Sequence, residues 1–555
     1  MFQMPKMDQG GNRIPASVAN VIELYLPNRL IDQFVYSTNA YAKRNMAPAK
    51  VSEVDRADIL RFLAIYYYMG VVKLPCKRDY WKTDHSFWPF LHSVVVHMKR
   101  DRFEYLWKNI HMTEVEGPDL INELIDEDEE SLDEVEEEEI DDDDDTVGNP
   151  EAVTWFSKAE PLMEQVRKVT KVLCKYPGFA CSIDEMMKLF KGRSGQTWRM
   201  KHKPVKEGYK FFALCDVETG LVYSFFPDGR LNSNTIVETV GQLIRTLPDP
   251  DQRKYLIGLD NYFTTDKSML DICSLGIGFV GTARGRRGWP PKELKEVEET
   301  RFNCTHLLPS TNGDYLMARW VDNNIVTMVT NVHRGNESVV KNRKKPRPNQ
   351  VNKDNLDAVW GDDYCREIKI PCFIDDYNNM MLGVDKADQL IAYYRPKLRC
   401  RRVWMPIMFH ALDILRINAY TVVKHCGDQR LEQKEFVEEL IHVLLGRAAS
   451  EEAAMTRNAV KKAGINTPSP TGKRPRTSTT NPTLPEERFL GIPSEHVQSI
   501  TNKQGACRYC SYLNAMHKIT AGATGDAPKV RNPSRVCVFC GVHLCLDHFA
   551  IYHQR

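Results

Sequence analysis

The chain has 555 residues, too many for one compact domain, and we expect roughly two to four folded units. Its 42% hydrophobic and 27% charged residues are typical of a soluble globular protein. The start of the chain lacks the apolar segment of a signal peptide, and the longest apolar run, Phe62–Val72, is too short to span a bilayer. Secretion, membrane insertion and a membrane partner are therefore not expected.

The net charge of +1 hides an uneven distribution of charge. Sixteen of the 20 residues from 126 to 145 are Asp or Glu, and without them 75 basic residues face 58 acidic ones, a net charge of +17. A basic body with an internal acidic segment favours a polyanion-binding protein, and a solvated segment without a partner is the alternative. We predict that residues 117–150 are disordered, because they offer too little apolar surface to bury.

Apolar residues at three- and four-residue spacing predict helices in the first part of the chain. These helices fill most of residues 16–112, and a further one runs from Val153 to Lys175 and is ended by Pro177-Gly178. The same spacing returns between Gly383 and Lys462. Residues 16–175, outside the acidic segment, and residues 383–462 are therefore expected to be mainly helical.

The middle of the chain has the alternation that is typical of strands, together with one helix from Asn234 to Thr246. Strands are predicted at Phe179–Ile183, Tyr209–Cys215, Leu221–Phe226, Tyr255–Leu259, Tyr315–Trp320 and Ile325–Thr330. Asp216–Gly220 is predicted to be a hairpin connection. Strands mixed with a helix indicate an α/β fold, and residues 284–365 are interpreted as an inserted module.

Four aspartates lie where regular structure would hold them rigidly. Asp184 is predicted to end one strand and Asp260 to end another, while Asp385 and Asp388 are three apart and would share one face of a helix. Carboxylates that converge from different elements are suited to hold two Mg²⁺ (or Mn²⁺) ions, which activate the attacking oxygen in phosphodiester displacement. The alternative for any one aspartate is a turn or a helix cap.

The residues around these aspartates resemble the three catalytic blocks of piggyBac transposases. The blocks are Ser182-Ile-Asp-Glu-Met-Met-Lys-Leu-Phe-Lys-Gly-Arg193 with Lys203-Pro-Val-Lys-Glu-Gly-Tyr-Lys-Phe211, then Leu259-Asp-Asn-Tyr-Phe-Thr-Thr265, then Tyr377-Asn-Asn-Met-Met-Leu-Gly-Val-Asp-Lys-Ala-Asp-Gln389. Trp404-Met-Pro406 follows, as it does in the family. The resemblance extends from about Val21 to the end of the chain.

The resemblance implies an RNase H-like core with a triad of Asp184, Asp260 and Asp385, and with Asp388 as an additional acid near the metals. It also implies a homodimer that performs cut-and-paste transposition of double-stranded DNA, recognising terminal repeats and inserting at TTAA. One residue departs from the family: Leu382 replaces the first glycine of the third block. We expect its side chain to crowd the turn before the helix.

The end of the chain is rich in cysteine, with five of 15 cysteines in the last 49 residues. The candidate zinc ligands are Cys507, Cys510, Cys537, Cys540, Cys545, His548 and His553. Cysteine pairs two residues apart bring both sulfurs to one Zn²⁺. One complete set would be Cys507, Cys510, Cys545 and His548, and the second set would need His543 or His517.

The cysteine-rich end resembles the domain that closes piggyBac transposases and recognises transposon-end DNA. A RING- or PHD-like protein-binding module has a similar composition and stays open as an alternative.

Basic runs near the aspartates are candidate contacts for DNA phosphates, with a solvated surface as the alternative for each. They are Arg284–Arg287, Lys341–Arg347 and Arg395–Arg402. Lys341–Arg347 and Lys473–Arg476 are also candidate nuclear import signals, so we expect a nuclear protein. Tryptophans 289, 320 and 360 suit base stacking or, as the preferred interpretation, core packing.

The predicted organisation joins these parts. A helical dimerisation and DNA-binding domain comprises residues 16–178 and 396–466; an RNase H-like catalytic domain comprises 179–283 and 366–395; the module 284–365 interrupts it; a linker 467–504 and a zinc-binding domain 505–555 follow. The predicted function is a piggyBac-like DDD transposase. A domesticated DNA- or chromatin-binding protein without cleavage is the first alternative, and a zinc module for protein binding or ubiquitin transfer is the second.

Overall fold

The computed structural model describes residues 17–82, 92–113, 155–200, 203, 205–231, 234–250, 252–285, 289–295, 301–322, 324–347, 353–427, 430–462, 498–500, 506–519, 529–537 and 543–544. The chain divides into two compact units, Met1–Val460 and Lys461–Arg555. The acidic segment 117–150 lies outside the described residues, as does most of the predicted linker. In the described ranges no helix has the length and apolar character needed to cross a membrane.

The first unit begins with helices, as predicted. They are α1 (Val18–Tyr25), α2 (Asn28–Asn45), α3 (Arg56–Val71), α4 (Val94–His97), α5 (Arg100–Asn109) and α6 (Glu160–Leu173), with short 3-10 turns at Pro48–Lys50 and Lys77–Trp81. Helix α6 starts later than predicted, since Trp155 to Ala159 form turns. Pro161, which has no backbone N–H to donate, lies in the first turn of α6 and suits a helix start there.

Nine described strands form one mixed sheet with the order β2-β3-β1-β5-β6-β9-β8-β7, and β4 pairs with β3. The strands are β1 (Ala180–Leu189), β2 (Trp198–Arg199), β3 (Glu207–Asp216), β4 (Val222–Asp228), β5 (Leu256–Leu259), β6 (Gly278–Thr282), β7 (Thr305–Pro309), β8 (Leu316–Val321) and β9 (Ile325–Thr330). Strand β1 runs antiparallel to β3 and parallel to β5, which is itself parallel to β6. The mixed α/β class is therefore confirmed.

The hairpin predicted between β3 and β4 is present. The carboxylate of Asp216 accepts hydrogen bonds from the backbone N–H of Thr219 at 2.7 Å and from that of Gly178 at 2.7 Å. Gly220 has a φ of +72°, a conformation that side chains other than glycine rarely adopt. Asp216 therefore ties the turn to the start of strand β1.

The segment interpreted as an inserted module contributes to two different sheets. Helix α9 (Lys292–Lys295) precedes β7, β8 and β9, which continue the main sheet through the antiparallel pairing of β9 with β6. Strand β10 (Ser338–Lys344) pairs instead with β11 (Cys365–Pro371), and α10 (Lys353–Trp360) lies between them in sequence. Trp320 and Trp360 are 2% and 1% exposed, so their predicted packing role is confirmed.

The remaining helices of this unit surround the sheet. They are α7 (Ile236–Ile244), α8 (Asp266–Ser274), α11 (Cys372–Met380), α12 (Leu382–Tyr394), α13 (Met405–Cys426) and α14 (Gln433–Lys462). Every residue of α13 from Met405 to Val423 is buried, which makes it the central helix of the core. The helical stretch predicted from Gly383 to Lys462 is thus three helices with two interruptions.

In the second unit, the described residues form one short strand pair and one helix. Strand β12 (Gln498–Ile500) pairs antiparallel with β13 (Arg535–Cys537), and helix α15 spans Arg508–Ile519.

Candidate catalytic site

Asp184 and Asp260 lie side by side in the sheet. Ile183 of β1 pairs with Leu259 of β5, so the two aspartates occupy the next position on neighbouring parallel strands, about 5 Å apart in the backbone. Strand β5 stops there, and the backbone N–H of Asn261 donates to the Asp260 carboxylate at 2.6 Å. The sequence-based prediction for Asp260, at the end of a strand, is confirmed.

The predicted position of Asp184 at a strand end is wrong. Strand β1 continues to Leu189, since its antiparallel pairing with β3 extends from Cys181 to Leu189 while its parallel pairing with β5 ends at Ile183. Asp184 is therefore in mid-strand, at the point where one of its two neighbouring strands ends. This leaves its carboxylate next to the opening beyond β5.

Helix α12 is held against β1 close to Asp184. The Oγ of Ser182 accepts a hydrogen bond from the backbone N–H of Val384 at 3.2 Å. A Cβ at Gly383 would collide with the same Oγ, so glycine allows the close approach of the helix to the strand. This contact places the first turn of α12, which carries Asp385, beside the catalytic strand.

Leu382 does not crowd the turn before α12, contrary to the expectation from sequence. It is the first residue of the helix, and its side chain is 44% exposed. The glycine that the packing requires is the next residue, Gly383, which is retained. The residue that differs from the family, Leu382, therefore faces solvent and does not lie in the contact between α12 and β1.

Asp385 and Asp388 have different surroundings, although they lie on one helix as predicted. Asp385 is exposed and Asp388 is half-buried. Burial, with Lys203 and Arg395 opposing it and the negative charges of Asp184 and Asp385 adding to it, raises the pKa of Asp388 to about 7. Asp388 therefore interacts electrostatically with the strand aspartate Asp184.

Asp184 also carries a perturbed carboxyl group. Burial raises its pKa to about 6; Lys203 opposes this shift, and the negative charges of Glu185 and Asp260 add to it. Burial likewise raises the pKa of Glu185. Acids from three elements, β1, the end of β5 and α12, thus lie within electrostatic reach of one another.

Lys203 forms an ion pair with Asp184, with its Nζ 3.9 Å from the carboxylate. It lowers the pKa of Asp184, Glu185 and Asp388, so one ammonium group acts on all three. Sequence analysis placed Lys203 in a motif but assigned it no role.

Thr282 and Tyr377 complete the surroundings of Asp260. The Thr282 hydroxyl donates to the Asp260 carboxylate at 3.3 Å and lies 3.4 Å from the Tyr377 hydroxyl. Sequence analysis missed Thr282 because β6 was not predicted. The signal was available in principle: Thr282 ends a strand parallel to β5 and follows Gly281, the partner of Leu259.

A buried lysine supports the loop after Asp260. Lys210, 2% exposed, has its Nζ 2.8 Å from the Asp228 carboxylate and 3.7 Å from the centre of the Trp198 ring. The same Nζ lies 5.1 Å from the ring of Tyr262, two residues after Asp260. This cation–aromatic contact packs the Asp260 loop against β3.

The donor chemistry of the site suits a hard divalent cation, which prefers carboxylate oxygens. Asp184 and Asp260 are neighbours, and Asp388 interacts electrostatically with Asp184. Over the described residues, no group of three or more His, Cys, Asp or Glu side chains is close enough to hold a metal. The carboxylates therefore suit Mg²⁺ by donor type, although the described residues do not bring three of them close enough to share one ion.

The basic run Lys341–Arg347 is largely used within the protein. Two alternate residues of β10 and the residue that follows the strand form ion pairs: Lys341 with Asp375 at 2.9 Å, Arg343 with Asp322 at 2.8 Å and Lys345 with Asp357 at 2.7 Å. Lys344 lies between them and is exposed. Only the outward side chains of this run remain candidates for DNA contact.

The other two basic runs differ in what the structure describes. Arg402 donates to the backbone carbonyls of Trp107 and Ile110 at 2.7 and 3.0 Å, which is a structural role. Arg395 is half-buried near Asp388, and Lys397 is exposed. Arg286 and Arg287 lie outside the described residues.

Three of the predicted zinc ligands are described. Cys507, Cys510 and Cys537 are buried, and none of them is in a disulfide. Cys507 and Cys510 lie at the start of α15, with the short spacing that a shared ion requires. Cys540, Cys545, His548 and His553 lie outside the described residues, so the complete ligand set stays a prediction.

Comparison with known proteins identifies related chains. The family model described as Transposase IS4 matches residues 19–420. Two human proteins are similar: piggyBac transposable element-derived protein 3, 24% identical over 75% of this chain and 63% of its own length, and piggyBac transposable element-derived protein 2, 22% identical over 74% and 62%. This chain therefore spans less than two thirds of the length of either relative.

One solved structure has a similar fold. It is the cryo-EM structure of a piggyBac transposase synaptic complex with hairpin DNA, with a TM-score of 0.58 and 17% sequence identity. The match covers 96% of this chain and 96% of the other. The similarity extends over nearly all of both chains.

Proposed function

Because this chain belongs to the piggyBac-type Transposase IS4 family, we propose that it is a DNA transposase that excises and inserts DNA at TTAA sites by phosphodiester hydrolysis and strand transfer. The observation that carries the proposal is the adjacent placement of Asp184 and Asp260 on parallel strands, with Asp388 in electrostatic contact. Several half-buried carboxylates close together destabilise the folded protein unless a bound cation neutralises them, so such a cluster is typical of a functional site.

The proposed core is RNase H-like. The strand order β4-β3-β1-β5-β6, with antiparallel pairing on one side of β1 and parallel pairing on the other, supports this assignment. Its acids come from the central strand, the neighbouring parallel strand and a following helix. That arrangement gathers carboxylates at one edge of a sheet, where a DNA phosphate has access.

Each residue of the site has a proposed role. Asp184 and Asp260, with Asp385 and Asp388 from α12, would hold Mg²⁺ or Mn²⁺. When bound, such ions activate an attacking oxygen and stabilise the leaving oxygen of a phosphodiester. Thr282 orients the Asp260 carboxylate through its hydrogen bond, and Lys203 offers a positive charge beside the acids for a DNA phosphate.

The partners and location follow from the same proposal. The structural neighbour is a transposase synaptic complex with hairpin DNA, which supports DNA as the substrate. We propose that this substrate is the double-stranded ends of a transposon and that the working form is a homodimer. Buried Cys507, Cys510 and Cys537 support a zinc site in the second unit. A nuclear location is proposed because the substrate is chromosomal DNA.

A second candidate function is DNA or chromatin binding without cleavage. It is favoured by the relatives, since the two human proteins are named as derived from transposable elements. The two candidates share the DNA-binding surface and differ in whether the acids act on a phosphodiester.

An excision assay in cells separates the two candidates. The reporter gene is flanked by the terminal repeats that border this protein's own genomic copy, and the proteins compared are the wild type, Asp260→Ala and Asp314→Ala. Asp314 is an exposed aspartate in the turn between β7 and β8, so its variant controls for a general effect of losing a carboxylate. We expect wild type and Asp314→Ala to excise precisely and restore TTAA, and Asp260→Ala to lose at least about a hundredfold in excision.

A different outcome would overturn the transposase proposal. Wild-type protein that binds the repeats in a gel-shift assay and yet produces no excision supports the binding-only candidate. Equal excision by wild type and Asp260→Ala would remove Asp260 from the reaction.

A further inference from the structure

The last turn of α12, the helix that carries Asp385 and Asp388, has three carbonyl groups that accept hydrogen bonds from side chains of other helices or segments. Gln433 of α14 donates its Nε2 to the carbonyl of Leu390 at 2.8 Å. Arg416 of α13 donates to the carbonyl of Ile391 at 3.1 Å. Lys73, just after α3, donates its Nζ to the carbonyl of Tyr393 at 2.8 Å.

These contacts replace the ordinary end of a helix. The last carbonyls of a helix have no partner within it, and Pro396 follows α12 closely and has no backbone N–H to offer. The end of a helix also carries partial negative charge, which favours cations such as Lys73 and Arg416 there. The carbonyls of Ile391 and Tyr393 are among the last four of α12, so Arg416 and Lys73 supply partners that the helix itself does not, and Gln433 adds a bond to the preceding carbonyl of Leu390.

Close backbone packing fixes the same terminus. A Cβ at Gly70, in the last turn of α3, would collide with the carbonyl oxygen of Tyr394. Glycine at this position lets α3 lie directly on the end of α12 and brings Lys73 to its carbonyl. The position of α12 is thus set by backbone contact as well as by the three side chains.

Helix α13 links this terminus to the catalytic strand. Asp413 of α13 forms a buried ion pair with Lys188 of β1 at 2.7 Å and accepts a hydrogen bond from Tyr66 of α3 at 3.1 Å. Lys188 follows Asp184 by four residues in the same strand, and Arg416 follows Asp413 by three in the same helix. One buried helix therefore holds both the strand of Asp184 and the end of the helix of Asp388.

We propose that Lys73, Arg416 and Gln433 are positioning residues for catalysis, which hold the C-terminal carbonyls of α12 and thereby fix Asp388 relative to Asp184. The inference rests on the proposed metal-dependent function. In this proposal, the segment after α3 and helices α13 and α14 fix the positions of the acids, whether or not these segments also contact DNA.

The test uses full-length variants. They distinguish a role in holding α12 from a direct effect of side-chain charge on the metal ion. Lys73→Met and Gln433→Met each remove one donor, and Lys73→Arg restores a cation at the first position. Lys77→Met is the matched control, because Lys77 also carries a positive charge near α3 but lies over the Trp107 ring, 4.5 Å from its centre. Arg416 is a fully buried cation, so its replacement is left out; Lys73 is exposed, and Gln433, although buried, is uncharged and close in size to Met.

Two readouts are measured after thermal unfolding shows that each variant is folded. Amide hydrogen exchange in the last turn of α12 should quicken about tenfold in Lys73→Met and Gln433→Met. Binding of Mn²⁺, followed by electron paramagnetic resonance, should weaken about threefold to tenfold in the same two variants. Lys73→Arg and Lys77→Met should behave like the wild type in both.

The sign of the change in Mn²⁺ affinity decides the question. A lysine that acted only as a nearby positive charge would repel the ion, so its loss would tighten binding. Tighter or unchanged Mn²⁺ binding in Lys73→Met and Gln433→Met, with wild-type binding intact, would overturn the positioning role. If wild type itself binds no Mn²⁺, and Asp184→Asn changes nothing, the proposed metal-dependent function fails instead.

Discussion

Asp388 shows how a single residue of the site affects the stability of the whole protein. Burial raises the pKa of its carboxyl group to about 7, against an ordinary value of 3.8. A carboxyl group whose pKa is higher in the folded protein than in the unfolded chain lowers stability as pH rises from the lower pKa to the higher one. This happens because the unfolded chain ionises first. The metal-free protein therefore bears the full electrostatic cost of Asp388 above about pH 7.

We expect Asp388→Asn to stabilise the metal-free protein at pH 8 by about 1–2 kcal/mol, less than complete burial would give because the residue is half-buried. The difference from wild type should shrink as pH falls from 7 and vanish below about pH 3, where Asp388 is protonated in both states. Urea unfolding in EDTA across this pH range measures it. Asp385→Asn, at an exposed position of the same helix, is the control: it removes only the repulsion between Asp385 and Asp388 and should stabilise the protein by less than Asp388→Asn does. A difference in stability that does not depend on pH would contradict the interpretation.

The contact between α12 and β1 decides the geometry of the site at the scale of elements. We expect Gly383→Ala to push α12 away from Ser182, to lower the free energy of unfolding by about 1–3 kcal/mol and to reduce excision at least about tenfold. Thermal melting and the excision assay measure the two effects.

Leu382→Ala is the control for Gly383→Ala, because Leu382 is the neighbouring residue and its side chain points to solvent. We expect it to retain excision. If Gly383→Ala melts and excises like Leu382→Ala, then the helix does not depend on close approach at this position.

Sequence analysis predicted the elements with strong periodicity and missed those whose definition depends on pairing. Strand β9 has the predicted bounds, and the hairpin after β3 was found because its turn residues are local signals. Strand β6 was missed because Gly278 and Gly281 give it little strand character. Both glycines pack closely against neighbouring segments of the same chain, where a Cβ would collide. The same omission hid Thr282.

The acidic residues could be named from sequence, but their surroundings could not. Asp184 looked like the end of a strand because the apolar run stops there, whereas pairing with β3 carries the strand on through polar residues. Alternate lysines and arginines of β10 looked like one basic surface, and the carboxylates that pair with them come from other parts of the chain. Such partners are long-range contacts, which local composition does not reveal.

At the scale of the whole molecule, the acidic residues 126–145 offset most of the positive charge on the rest of the chain. We expect their deletion to tighten binding to random duplex DNA about tenfold at about 50 mM salt, and to have little effect at about 300 mM, because screening removes the competition. Fluorescence anisotropy measures both. A Gly/Ser segment of equal length should behave like the deletion; unchanged affinity in both variants would show that the segment does not compete with DNA.

The hydrogen bond between Val384 and Ser182 joins residues 202 positions apart, and this separation has a consequence for the order of folding. Contacts between distant parts of a chain form late, because closing the long loop costs entropy before the contact repays it. During synthesis, a ribosome-bound chain that ends before residue 382 contains Asp184 and Asp260 but lacks the helix that completes the acidic group. For the proposed transposase, this order means that a growing chain lacks Asp385 and Asp388 until most of it has been made, so we expect incomplete translation products not to cut DNA.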